Sequence, residues 1–436
     1  MSLLQKVVRV AAPVLFFPGI ANGQQAPAGR IGIQKEYVNE ISRLAGDPLV
    51  KKMFTEITRL EPETRRDHIS LTEIPAPPFK ETERAKAFAS MLGAAGVDTL
   101  WLDPVGNVVA LRRGTSGKRN VVVDAHLDTV FPEGTDVKVK FSGDTLKAPG
   151  IGDDTRGLAA LLAGLKALNR AAIKTDANVY FVGTVGEEGL GDLRGIKHLF
   201  AQKTFPIHSH IALDGVGIGG IVNSAVGSIR YRVAYLGPGG HSYGAFGLAN
   251  PHHALAKAIA YFTDEANEFV KSGVKTTYNV GMIGGGTSVN AIPFESWLEV
   301  DMRSESPERL AGLDAIFRNA VEKALKAENS VKRMGEDLTV KLEKVGDRPS
   351  GSIPGTNPLV QRAAASAAHL GAVPMVAASS TNSNIPLNQG IPSVTIGSGG
   401  KAGGAHSLDE WWLNENGEAG IQHMLLVLLA EAGLAK

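Results

Sequence analysis

The chain has 436 residues, 43% of them hydrophobic and 20% charged, with a formal net charge of +1. That length predicts more than one domain, and the balance is that of a globular protein with no electrostatic pull toward nucleic acid or an anionic membrane. There is no cysteine, which excludes disulfides, thiolate metal sites and a cysteine nucleophile.

Lys6 and Arg9 precede an apolar run from Val10 to Ala21, with small residues at Ala21 and Gly23. This is the layout of a secretory signal, so residues 1–23 are expected to be a signal peptide and the mature protein periplasmic or secreted. An uncleaved segment would instead leave the protein cytoplasmic. Pro13 and Pro18 interrupt the run, which is shorter than the roughly 20 residues of a spanning helix, and no membrane span is expected elsewhere.

Ile31 to Leu60 reads as helical. Ile74-Pro75-Ala76-Pro77-Pro78 then forbids helix and marks a loop. A helix is predicted over Glu81 to Leu92, with strands at Thr99 to Leu102 and Val108 to Leu111. The run Val121-Val122-Val123-Asp124-Ala125-His126-Leu127-Asp128 reads as a buried strand with ligand-type residues at its end. A glycine-rich turn, Gly150 to Gly157, holds Asp153 and Asp154 and feeds a helix from Leu158 to Leu168. The β-branched strand Val179 to Val185 runs into Glu187-Glu188, and the strand His210 to Leu213 ends at Asp214. Strands that each deliver acid or imidazole at their ends, with helices between them, predict a mostly parallel sheet sandwiched by helices.

Near Gly227 the pattern changes. Strands are predicted at Ile229 to Tyr235, Thr276 to Ile283, Trp297 to Met302 and Leu338 to Val345, with helices at His253 to Phe262 and Pro307 to Glu328. Strand-helix-strand-strand-helix-strand is the ferredoxin-like order. The expected organisation is therefore an α/β catalytic domain over residues 24–226 and 346–436, with an inserted ferredoxin-like lid over residues 227–345. Regular structure of the first domain resumes at Pro358.

His126, Asp128, Asp153, Glu187, Glu188, Asp214 and His406 are the candidate chemical groups. Imidazole and carboxylate without thiolate suit zinc, with cobalt or manganese as alternatives. Asp153, Glu188, Asp214 and one bound hydroxide would balance two divalent cations, whereas a single cation would leave surplus carboxylates repelling one another. Asp128, two residues after His126 on an extended chain, is placed to accept the other imidazole N–H and fix the tautomer. Glu187 and Glu188 point apart if extended, so one can hold metal while the other serves as base.

Asp124-Ala125-His126-Leu127-Asp128, Gly152-Asp153-Asp154, Glu187-Glu188-Gly189, Asp214-Gly215, Gly239-Gly240-His241-Ser242, Asn290-Ala291-Ile292-Pro293, Asp301-Met302-Arg303 and Ala405-His406-Ser407 follow one another in this order. From about Ile31 to its end the chain resembles the dizinc exopeptidase and deacylase family, which includes peptidase T, carboxypeptidase G, acetylornithine deacetylase and succinyl-diaminopimelate desuccinylase. The resemblance implies that Asp153 bridges two metals, with His126 and Asp214 on one and Glu188 and His406 on the other. It implies Glu187 as general base. It also implies that His241 and Asn290 contact the oxyanion or substrate carbonyl, and that Arg303 contacts a substrate carboxylate. A cis peptide between Asp153 and Asp154 is expected. In dimeric members the lid histidine comes from the partner chain, so a homodimer through the lid is compatible with the sequence.

Two positions depart from the family pattern. Arg156 stands where relatives often have Lys, and Asn382 where they often have Asp, so both are expected to bear on substrate preference. The other histidines, His68 and His423 among them, read as surface or satisfied core, and Trp411-Trp412 as core packing. The expected activity is metal-dependent hydrolysis of peptide bonds in short peptides. N-acyl-amino-acid deacylation is the alternative, and a non-catalytic binding protein on the same fold is a further one.

Overall fold

The computed structural model describes residues 29–435; the signal-like segment lies outside the described residues. The expected first helix is two helices, Lys35–Gly46 and Pro48–Thr72. Asp47 causes the break: its carboxylate accepts the Leu49 N–H, and Pro48 supplies the first helical position. The same punctuation starts Pro251–Phe269 after Asn250, Pro307–Val331 after Ser306 and Pro358–His369 after Asn357, each with the capping side chain bonded to a first-turn amide. The helix Thr82–Ala95 and the strands Thr99–Leu102 and Val108–Arg112 fall where the sequence predicts them.

A ten-stranded sheet organises the larger part of the chain. Its centre is Asn120–His126, buried at every residue, lying parallel to Asn178–Thr184 on one side and Ser209–Leu213 on the other. Ser393–Ile396 continues the parallel set beside Ser209–Leu213. The expectation of a mostly parallel sheet therefore describes these central strands. The flanks are mixed: Val108–Arg112 pairs antiparallel with Asn178–Thr184, and Gly220–Ala225 pairs antiparallel with Ser393–Ile396. Helices cover both faces. One, Thr155–Arg170, is buried along nearly its whole length. Its Gly157 is required, because a Cβ there would meet the Asp154 carboxylate at 2.3 Å.

The chain leaves this sheet to build a four-stranded one, ordered Thr276–Gly285, Glu295–Ser304, Gly227–Leu236, Thr339–Arg348, all antiparallel. Two helices, Pro251–Phe269 and Pro307–Val331, pack on one face. This is the ferredoxin-like order. It has its own core, in which Tyr231, Val233 and Tyr235 meet Phe262 and Phe317. On Gly227–Leu236 the intervening residues Arg230 and Arg232 face the other way, toward the open side of the sheet. The chain rejoins the large sheet at Gly351–Ser352, earlier than the helix at Pro358 suggests, by pairing with Gly220–Ala225. Among the described residues no helix is long and apolar enough to cross a membrane.

Candidate metal centre and catalytic cavity

His126 ends the central strand. Glu187 and Glu188 follow Asn178–Thr184, and Asp214 follows Ser209–Leu213. These are the carboxyl ends of parallel strands, where an open α/β sheet presents its ligands. Asp153 comes from the glycine-rich turn before Thr155–Arg170, and the bond to Asp154 is cis, as the resemblance implies. His406 lies in the loop between Lys401–Gly403 and Trp411–Leu413, in the left-handed region at φ 64°.

Two groups of donor atoms share Asp153. His126, Asp153 and Asp214 each offer an atom within 4.8 Å of the others, and so do Asp153, Glu188 and His406; His126, Glu187 and Glu188 form a third such group. His126 Nε2 lies 2.9 Å from Asp153 Oδ1, and His406 Nε2 lies 3.1 Å from Asp153 Oδ2 and 3.0 Å from Glu188 Oε1. Imidazole nitrogens aimed at carboxylate oxygens, with no sulfur, form a donor set that fits divalent cations of the zinc, cobalt or manganese type. The electrostatics agree. Burial, reinforced by Glu188 and Asp214, pushes the Glu187 carboxyl up to about 8. Burial, reinforced by Asp153, pushes Asp214 up to about 7. Hydrogen bonds to Asp153 and Glu188 push His406 up to about 11. A crowd of buried carboxylates calls for compensating positive charge at its centre.

Asp128 faces both His126 and the two glutamates. The His126 Nδ1–H donates to the Asp128 backbone carbonyl at 3.0 Å, while the Asp128 carboxylate stands at 3.6 Å, beyond hydrogen-bond range. That carboxylate instead accepts the Glu187 N–H at 2.9 Å and the Glu188 N–H at 2.8 Å. One residue thus orients the imidazole through its backbone and fixes the two glutamates through its side chain. Glu187 and Glu188 do point apart. Glu188 faces His406, and Glu187 faces Arg348, whose Nη1 donates to Glu187 Oε1 at 3.4 Å and whose Nη2 donates to the Glu187 carbonyl at 2.5 Å.

Sequence reasoning missed Arg348 and also Glu410. Glu410, 1% exposed, accepts the amides of Gly150, Gly152 and Asp153 at 2.8, 2.8 and 2.9 Å. A carboxylate four residues after His406, in the same loop, was the available signal. The two departures from the family pattern both prove internal. Arg156 donates to the carbonyls of Ser398 and Gly417 and lies 4.7 Å over the Trp412 ring. Asn382 donates to Asp124 and Thr184 beneath the sheet end. Neither lines the cavity.

The cavity is about 460 Å³, and its lining includes Asp153, Glu187, Glu188, Asp214 and His406 together with Arg230, Arg303 and Arg348. Arg303 reaches it from the lid while its Nε donates to Asp301 at 2.6 Å. His241 and Asn290 do not line it. They sit together in a small lid pairing, Gly240–His241 against Ala291–Ile292, where the Asn290 carbonyl accepts the Ser242 N–H at 2.9 Å.

An α/β sheet presenting shared imidazole and carboxylate donors beneath an inserted lid fits a metal-dependent hydrolase. The profile of Peptidase family M20/M25/M40 matches residues 122–430, and the chain belongs to this family. It is 26% identical over 347 residues to the uncharacterized protein YqjE of Bacillus subtilis, covering 76% of this chain and 89% of that one. Among solved structures it shares its fold with aminopeptidase PepT of Bacillus cereus, at a TM-score of 0.65 and 21% identity over 85% of this chain and 98% of that one. It does so too with a tripeptidase of Staphylococcus aureus, at a TM-score of 0.68 and 23% identity over 84% and 98%.

Proposed function

We propose that the chain is a two-metal exopeptidase acting on short peptides with a free C-terminal carboxylate. The observation that carries this reading is one cavity lined by both the shared donor cluster and Arg303. The peptidase names of its structural relatives point the same way. His126, Asp153 and Asp214 would hold one cation, and Asp153, Glu188 and His406 the second, with zinc the best match to the donors. Two such cations supply Lewis acidity toward the scissile carbonyl and the attacking water.

Glu187 is the general base. Its carboxyl also lies within donor reach of His126 and Glu188, but the two groups that share Asp153 already offer three donors each without it, and Arg348 keeps it in place. It takes a proton from the attacking water and returns it to the leaving nitrogen. Arg303 binds the terminal carboxylate through its outer nitrogens. His241 and Asn290 stand outside the cavity of their own chain beside the exposed apolar residues Tyr243, Phe246, Val289 and Phe294. We assign them to the site of a partner subunit, where they contact the substrate carbonyl, with these side chains in the interface.

The test is a panel of di- and tripeptides with free and amidated C-termini, run beside N-acetyl and N-succinyl amino acids. Hydrolysis of the free peptides alone is the expected result. Equal cleavage of amidated peptides ends the role of Arg303, and turnover of the N-acyl amino acids alone makes the protein a deacylase.

A further inference from the structure

Arg230 and Arg303 stand on neighbouring lid strands with one carboxylate between them. Arg230 lies directly opposite Asp301 in the strand register. Asp301 Oδ1 accepts Arg230 Nε at 2.9 Å, and Asp301 Oδ2 accepts Arg303 Nε at 2.6 Å. Burial would raise the Asp301 carboxyl, but Arg303 and Arg230 outweigh it and hold it below its usual value, so it is ionised. Both guanidiniums are therefore pinned through Nε, and two cations share one anion. Arg230 spends one outer nitrogen on the Gly189 carbonyl at 2.8 Å. Among the described residues, its other outer nitrogen and both of those of Arg303 make no hydrogen bond. This is more donor capacity and more positive charge than one carboxylate uses.

The rest of the wall is equally polar. Val130 and Val222 are the only apolar side chains among the described residues that line the cavity, and Ser379 and Ser380 add hydroxyls to it. A large apolar side chain would have to displace water from these groups without replacing its hydrogen bonds. At the Arg230–Asp301–Arg303 group a carboxylate would meet a fixed donor and two guanidiniums balanced by one carboxylate.

We propose that the site selects substrates whose C-terminal residue carries a second carboxylate, of aspartate or glutamate type, and that Arg230 is the specificity residue that receives it. The proposal rests on the reading that Arg303 takes the main-chain carboxylate. Arg230 differs from Arg303 in its fixed tie to Gly189, the residue after Glu188, so the second carboxylate is received at a fixed distance from the metal-binding end.

The experiment compares kcat/KM for Ala-Glu, Ala-Gln and the C-terminal amide of Ala-Gln, in the wild type, R230Q and R230K, all loaded with zinc. The wild type should prefer Ala-Glu to Ala-Gln by about 10- to 100-fold, the range of a charge-assisted contact. R230Q should bring that ratio toward one, and R230K should keep part of it. A wild type that cleaves Ala-Gln as well as Ala-Glu, yet requires the free terminus, overturns the second carboxylate alone. A wild type that cleaves the amide as well as the free peptide overturns the underlying reading of Arg303. An R230Q variant that slows both peptides alike and keeps the ratio removes Arg230 from the role.

Discussion

Glu410 accepts the backbone N–H of Asp153 at 2.9 Å across 257 residues of sequence. With its bonds to Gly150 and Gly152, it ties the loop that carries the shared ligand to the loop that carries His406. Gln at this position keeps the shape but turns donors toward donors. Glu410→Gln should therefore lower metal affinity by about 10- to 100-fold, the usual loss when a residue supporting the ligands is removed. Chelator competition on a wild type that takes up two zinc ions, beside the variant, measures it. Unchanged affinity would show that the Asp153 loop holds its shape unaided.

Glu187→Gln separates base from ligand. The variant should retain both metal ions, because Glu188 faces His406 and Asp153 while Glu187 faces Arg348. Its kcat should fall by about 10²- to 10⁴-fold. Elemental analysis and steady-state kinetics decide the matter. Loss of a metal ion would exchange the roles of the two glutamates.

Arg303→Ala removes the proposed grip on the terminal carboxylate. The Asp301 ion pair uses only Nε, so the outer nitrogens stay available. Losing a charge-assisted contact of about 1.5–3 kcal/mol should reduce kcat/KM by about 10- to 150-fold. Wild-type kinetics in the variant would mean that the guanidinium serves Asp301 alone.

Two buried histidines predict loss of stability in acid. Burial holds His68 down to about 3, its Nε2–H donating to the Ile151 carbonyl, and burial holds His423 down to about 4. Both folded values lie below the unfolded value of about 6.5, so the unfolded chain takes up these protons first and stability falls as pH drops from about 6.5 toward 4. Each contributes a loss of about 2 kcal/mol by pH 5. Without metal, Glu187 and Asp214 act in the opposite sense, their raised values favouring the protonated fold. The comparison is therefore between wild type and His68→Gln at equal metal loading. Urea midpoints at pH 7 and pH 5 should lie closer together in the variant, and an identical separation would exclude His68.

Much of this architecture was legible in sequence because its signals are local. His126 and Asp214 end apolar strands, and the lid strands alternate visibly, as in Ile229, Tyr231 and Val233. What stayed hidden depends on pairing across long distances. Arg230 and Arg303 are legible as charges, but their sharing of Asp301 follows from an antiparallel register that no short window contains. The strand Met375–Ser379 is short and Ala-rich, and Ser393–Ile396, though β-branched, spans only four residues, too short a run to read as a member of the main sheet. The spacing of Asp128 from His126 specifies a side, but not the two amides on a neighbouring strand end that its carboxylate also accepts.

The placement of Ser393–Ile396 beside Ser209–Leu213 bears on how the molecule is made. During synthesis the whole inserted lid must emerge before this strand can arrive, and His406 and Glu410 emerge later still. The early sheet waits with an unpaired edge, and such long-range closure is slow and exposed to aggregation. Metal-binding competence is thus a late event in biogenesis, conferred by a C-terminal segment that docks onto an almost finished scaffold.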